Sequence, residues 1–351
     1  MTRLDFLTRL NALTAALPES ERERLRSYFT EMIDDRIEMG MDEETAVEAL
    51  GSPEALLKDI APAGALTPTG GADETCAGDI REIHIHLKNA DATIQRGPLP
   101  ANVSAQLRPS ELDRFTWSLN DGVLTVSEAG EVRRGLFRRD ADMTLILSDP
   151  APEKLIADSY GGDIEIIGVE VKDMAVLASS SGDIRFRAFT CGGRLEATSR
   201  SGDIRLENAA ITGDCKLESM SGDVELRQLQ AASLRVRTAS GDTECAGLRA
   251  DRVAIGAVSG DIDLTDALST TALLCETTSG DVELTRAIAP DTRLSTASGD
   301  ITLLLPRVEG GVDVRAESRS GDVKAPFNPA GNARYAVQAR SVSGDIEISA
   351  P

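Results

Sequence analysis

The sequence predicts an α plus all-β chain: a small four-helix amino-terminal module followed by a parallel β-helix, or β-solenoid, of about ten coils with 19–23 residue repeats. Three observations carry this. Leucines recur at threes and fours through the first residues, a Gly-Asp corner returns at a nearly constant interval from residue 161 onward, and apolar residues hold fixed offsets from every corner aspartate.

In the first sixty residues, Leu4, Leu7, Leu10, Leu13 and Leu17 form one helical stripe, closed by Pro18. Ser20 and Glu23 make a capping box for a second helix whose stripe is Leu25, Phe29, Met32, Ile33 and Ile37, with Gly40 as its carboxyl-terminal cap. Asp42 caps a third helix bearing Ala46, Val47 and Leu50, and Gly51 ends it. Ser52-Pro53 opens a fourth over Leu56, Leu57 and Ile60. Residues 61–78 mix Pro, Gly, Thr and Ala without periodicity and read as a flexible linker.

Residues 79–150 read as cap and lead-in strands: Ile83/Ile85/Leu87, a hairpin from Phe115 to Val126 around Asn120-Asp121-Gly122, and Met143/Leu145/Leu147 before Asp149-Pro150. Residues 151–351 are the solenoid. Its corner begins as Gly161-Gly162-Asp163 and continues as nine Ser-Gly-Asp copies, placing Asp163, Asp183, Asp203, Asp223, Asp242, Asp261, Asp281, Asp300, Asp322 and Asp345 at 19 to 23 residue intervals. Eight, six and four residues before each aspartate stand triplets such as Leu195/Ala197/Ser199 and Leu273/Cys275/Thr277. One and three residues after it stand pairs such as Ile204/Leu206 and Ile262/Leu264, and six after it a third station holds Phe189, Ala209, Leu229, Leu248, Ala267 or Ala287. Alternation with polar residues makes each set one inward-facing strand, so the coil has three sides. Length variation falls before the next triplet, where a loop absorbs it.

Composition narrows the function. Asp and Glu number 58 against 37 Lys and Arg, a net charge of −21, which argues against direct nucleic-acid binding because phosphates must be met by a cationic surplus. One Trp, three Tyr and seven Phe leave an aliphatic core. The amino terminus carries Asp5 within its first apolar stretch and no signal-peptide pattern, and no window is apolar enough to span a bilayer, so the expected location is cytoplasmic. Five widely spaced cysteines with no C-x-x-C pair fit reduced thiols. Cys215, Cys245 and Cys275 fall on inward stations as core filler. His84 and His86 alternate with Ile83, Ile85 and Leu87, which puts both on the outer side of one strand with no third metal ligand nearby. No catalytic residues are assigned.

For the corner, the structural reading is that Gly permits positive φ while Ser and Asp bond nearby amides; the alternative is calcium held by stacked aspartates, with no other cofactor expected. Glu225, Glu244, Asp263 and Glu283 add an acidic stripe two residues after the corner. Arg133, Arg134, Arg138 and Arg139 around Leu136-Phe137 break the acidic pattern and read as a solvated loop, with anionic lipid at a membrane surface or an acidic partner as the alternative.

The run Phe6-Leu7, Leu10, Leu17-Pro18, Glu21-Arg22, Tyr28, Glu31, Asp34-Asp35, Glu38, Gly40, Glu44, Ala46 and Leu50-Gly51-Ser52-Pro53 resembles the HAAS signalling domain, a helical module associated with PadR-like transcription regulators. The Ser-Gly-Asp repeats resemble the "putative adhesin" β-strand repeat family, some members of which are linked to envelope stress. Together these resemblances imply a non-enzymatic regulator whose head docks a PadR-like protein, with Glu31, Asp34 and Asp35 steering a basic partner, and whose solenoid senses or scaffolds. The alternatives are a solenoid scaffold that self-associates as a homo-oligomer and a carbohydrate-active β-helix, the latter disfavoured because the coils offer almost no outward aromatics.

Overall fold

The computed structural model describes residues 74–110, 114–128, 142–148, 150–325 and 333–350, with Phe6, Leu7, Arg9, Arg26, Thr30, Ile33 and Val47 nearer the amino terminus. The chain divides into two units, Met1–Ala65 and Leu66–Pro351. In the first, those seven residues are helical, and Phe6, Ile33 and Val47 are buried. The number and packing of its helices lie outside the described residues, as does most of the 61–78 segment.

The second unit is a parallel β-solenoid built from the period-2 alternation of its sequence. The first face stacks the strands that precede each corner. Lys154–Ser159, Met174–Ser179 and Arg194–Ser199 pair in parallel, and the column continues through 215–219, 233–238, 252–257 and 272–277 to Asp291–Ser298. The second face stacks the strands after the corner, from Ile164–Ile167 and Ile184–Arg187 to Val282–Thr285 and Ile301–Leu304. A narrow third face runs through Glu170–Val171, Thr190–Cys191, 209–211, 229–231, 249–250 and 268–269. The three inward stations meet in one aliphatic core, where Phe186 and Phe189 contribute a ring pair 4.9 Å apart. The third station is buried at Phe189, Ala209, Leu229, Leu248, Ala267 and Ala287, as its spacing predicts. Register shifts lie at 211/214 and 250/252, in the loop expected to absorb length variation.

Two features were not anticipated. Five residues after the corner aspartate, Gly168, Ala188, Asn208, Gln228, Gly247, Asp266 and Arg286 all adopt φ between 50° and 73°. Each of these seven coils therefore turns from its second to its third face through one left-handed residue, whatever side chain stands there.

The second concerns order. Consecutive coils are not neighbours at either end. Tyr335–Ser343 inserts between Asp291–Ser298 and Val312–Ser320, and Ile346–Ser349 between Ile301–Leu304 and Val323–Lys324. The coil that ends the chain is thus penultimate in the stack. Likewise Glu82–Leu87 lies between Val123–Glu128 and Lys154–Ser159, and Asp91–Arg96 between Asp142–Leu147 and Ile164–Ile167. The residues read as a lead-in therefore form a true coil, and the later segment caps it. Antiparallel strands cover that end: Phe115–Asn120 returns along Val123–Glu128 through Asp121 and Gly122, both at positive φ, while Ala105–Pro109 lies on Asp142–Leu147 and Glu74–Cys76 on Ala105–Pro109.

Candidate functional site

The corner aspartates form a continuous ladder. The backbone N–H of Asp183 donates to Oδ1 of Asp163 at 2.8 Å, that of Asp203 to Asp183, and the relay continues through Asp223, Asp242, Asp261, Asp281 and Asp300. It then passes to Asp345 and only afterwards to Asp322, following the exchanged coil order. At the other end Asp163 N–H donates to Asp91 Oδ1 at 2.8 Å, which adds a member that the motif had not revealed. Asp91 was missed because its corner reads Asn89-Ala90-Asp91, without the glycine, 72 residues before Asp163.

Three expectations about the corner are corrected. The aspartate accepts from the neighbouring coil rather than from its own turn. The glycine is required by close approach, not by positive φ: a Cβ on Gly182, Gly202 or Gly222 would stand 2.1 Å from the carbonyl oxygen of the glycine one coil before. Coils stacked at about 4.8 Å leave no room for it there. The motif serine is exposed at Ser181, Ser201 and Ser221. The hydroxyl that bonds the turn is the buried one two residues earlier: Ser199 Oγ accepts from Gly202 N–H at 2.9 Å and Ser219 Oγ from Gly222 N–H at 2.9 Å. Thr277 and Thr296 instead donate to the carbonyls of Gly260 and Gly280 in the coil before.

Beside the ladder, the second face divides into a paired half and an acidic half. Arg185 bridges Asp163 at 2.7 Å and Asp183 at 2.5 Å, and Arg205 bridges Asp183, Asp203 and Glu225. Arg187 pairs with Glu165, and Arg227 with Glu225. Further along, Glu244, Asp263 and Glu283 line a shallow depression with no arginine among its lining residues. Partial desolvation in this depression, together with the charges of Glu283, Asp261, Glu244 and Asp242, raises the Asp263 carboxyl above its ordinary value, although the residue as a whole is exposed. Among the described residues no cluster of three or more His, Cys, Asp or Glu has the arrangement of a metal site.

The five cysteines are free and buried. Burial pushes Cys76 up to about 11 and Cys245 up to about 12, and raises Cys215 and Cys275 further, so these thiols stay protonated and unreactive as nucleophiles. His84 lies 3.3 Å from Glu82, and His86 lies 2.5 Å from Asp158 on the next coil. Glu31, Asp34, Asp35, Arg133, Arg134, Arg138 and Arg139 lie outside the described residues, so their placement as partner-binding groups rests on sequence.

A second residue that the sequence did not reveal is Glu128. It is buried, its Oε2 accepts the N–H groups of Lys88, Asn89 and Ala90 at 2.7, 2.9 and 3.0 Å, and its Oε1 pairs with Arg114. These are the corner amides that, in later coils, donate to a preceding coil or to a local hydroxyl. Burial alone would raise this carboxyl; the Asn89 and Ala90 amides, the Arg114 guanidinium and the Lys88 amide outweigh it and hold it below the usual range.

With the repeating corner in place, comparison with known families decides the identity of the second unit. The Toastrack DUF4097 model matches residues 77–237 and again 227–350. The chain belongs to the toastrack family. A HAAS model matches residues 5–59, so a HAAS domain precedes the toastrack domain. No curated protein matches the chain. Solved structures similar to it include a "putative adhesin" from Bacteroides fragilis NCTC 9343, 13% identical, covering 82% of this chain and 100% of that one with a TM-score of 0.41. Another is a "putative lipid binding protein" from Parabacteroides distasonis ATCC 8503, 14% identical, covering 79% and 97% with a TM-score of 0.43. No helix among the described residues of the toastrack and HAAS domains is long and apolar enough to cross a membrane.

Proposed function

We propose that this chain is a non-enzymatic regulatory scaffold acting in the cytoplasm, in which the HAAS domain docks a PadR-like transcription regulator and the toastrack solenoid supplies a rigid surface that reports on the state of the envelope. The fusion of a HAAS domain at 5–59 to a toastrack domain over 77–350 carries this reading. The chemistry of the solenoid supports it. The ladder aspartates are engaged by backbone amides and the arginines beside them by carboxylates, so these groups join coils, and burial holds the thiols protonated. With a net charge of −21, the chain reaches DNA only through a cationic partner.

The test is calorimetric titration of the full chain against a PadR-like regulator from the same genome, at low and physiological salt. Binding with Kd on the order of micromolar, weakening as salt rises, is expected for a small, electrostatically steered interface. The triple variant Glu31→Lys, Asp34→Lys, Asp35→Lys should bind at least about tenfold more weakly. Absence of binding, or equal binding by the triple variant, overturns this assignment.

A further inference from the structure

We propose that two copies of this chain join end to end through the outer edge of Val312–Ser320, in a two-fold antiparallel pair centred on Ala316. The two ends of the solenoid differ. Antiparallel strands close the end at Val123–Glu128 and Asp142–Leu147, whereas among the described residues Val312–Ser320 pairs only with Tyr335–Ser343 and Val323–Lys324 only with Ile346–Ser349. An edge of this kind presents a row of unpaired backbone donors and acceptors to another strand. Its core side is also incompletely covered. Val323 is 42% exposed, whereas the equivalent Ile204, Val224 and Ile262 in interior coils are fully buried, and Val312 and Ala316 are only partly covered.

The occupant follows from symmetry and charge. Head-to-tail stacking would set this edge against the opposite end, whose outermost described strands, Phe115–Asn120 and Glu74–Cys76, run antiparallel and do not continue the parallel register of the coils. The same edge of a second copy supplies a strand of matching length and charge, and a pairing of like with like is two-fold. The outward residues of Val312–Ser320 are Asp313, Arg315, Glu317 and Arg319, alternating in sign. Centring the two-fold on Ala316 sets Asp313 opposite Arg319 of the other copy and Arg315 opposite Glu317, and each pair occurs twice. Centring it on Arg315 or on Glu317 sets like charges opposite one another, which destabilises an antiparallel pair. The same register places Val312, Val314 and Ala316 on the core side of both copies, where the exposed Val323 also lies, so the two aliphatic cores become continuous.

Sedimentation velocity on the full chain over a concentration series tests this. The wild type is expected to dimerise. Glu317→Arg is expected to weaken dimerisation at least about tenfold by setting two Arg–Arg pairs across the axis. The double variant Arg315→Glu, Glu317→Arg restores opposite charges and is expected to return to within about threefold of the wild type. The Glu317 side chain is 76% exposed, and its 3.8 Å pair with Arg340 is lost in both variants. The 3.7 Å pair of Arg315 with Asp313 is lost only in the double variant, a loss that works against recovery, so recovery of the dimer there reports the contact between copies. An unchanged melting temperature checks the fold of each. Val323→Lys, which places a charge at the end of the core, should also yield a monomer. A wild-type monomer at high concentration, or a dimer that Glu317→Arg leaves intact, overturns the proposal.

Discussion

A single carboxylate oxygen at each corner links one coil to the next, and its contribution can be separated from its charge. Asp242 Oδ1 accepts the Asp261 N–H at 2.8 Å. Asp242→Ala should cost about 1 kcal/mol by removing that acceptor, whereas Asp242→Asn retains an oxygen there and should be close to silent by thermal denaturation. Millimolar calcium should leave the melting temperature of either form unchanged, because Oδ1 of each ladder aspartate already accepts an N–H and no described cluster gathers enough further ligands to hold a cation to the folded state. On the same face, Leu264 is buried and Asp263 beside it is exposed. Leu264→Asp should cost several kcal/mol by placing a charge among aliphatic side chains. Asp263→Asn should act in the opposite direction. A carboxyl whose folded pKa is raised destabilises the native state once pH climbs above its ordinary value, so the variant should melt higher at pH 7 and lose that gain on acidification.

At the scale of the strand and turn, the second corner is built by backbone conformation instead of a motif. Ala188 is exposed and held at φ 50°. A left-handed conformation costs an L residue roughly 1–2 kcal/mol, more than the extra chain entropy a glycine loses on folding, so Ala188→Gly should stabilise the protein by up to about 1 kcal/mol in denaturant titration. Glu128 marks the element where repetition stops. Its carboxylate bonds three amides that have no hydroxyl or earlier coil to receive them, and Glu128→Ala should cost about 3 kcal/mol by stranding them along with Arg114. Because its folded pKa is depressed, this stability is complete above the ordinary carboxylate pKa and is lost as pH falls through the folded value. Acid titration of wild type and variant should therefore converge at low pH.

For the whole molecule, a solenoid is held by contacts between neighbouring coils, and its ends would be expected to fray in chain order. Here the exchanged order reverses that at the carboxyl end. Tyr335–Ser343 and Ile346–Ser349 are flanked on both sides, whereas among the described residues of one chain Val312–Ser320 and Val323–Lys324 have a neighbour on one side only. Native-state hydrogen exchange on the Glu317→Arg chain, kept monomeric at low concentration, should show the last strands of the chain better protected than the strands that precede them. Equal or inverted protection would mean that the coils stack in sequence order in solution.

The sequence by itself determined the period, the three inward stations and the register. Each is a local pattern: alternation assigns Leu195, Ala197, Ile204 and Leu206 to the core, and the recurrence of Gly-Asp marks the corner. It also marked the aspartates, but not what they do, because a bond from one coil to the amide of the next joins residues about twenty apart whose proximity exists only after stacking. The glycine was explained by the wrong cause for the same reason: its constraint is a carbonyl oxygen on a neighbouring coil. The left-handed column escaped notice since Ala188, Gln228 and Arg286 carry no signature of that conformation, and the core packed on either side imposes it. The exchanged ends were invisible to any periodic reading. Every coil fits every other in register, so which coil lies beside which is decided by the connecting segments and by Glu128 and the antiparallel strands that close one end, with Val312–Ser320 outermost among the described residues at the other.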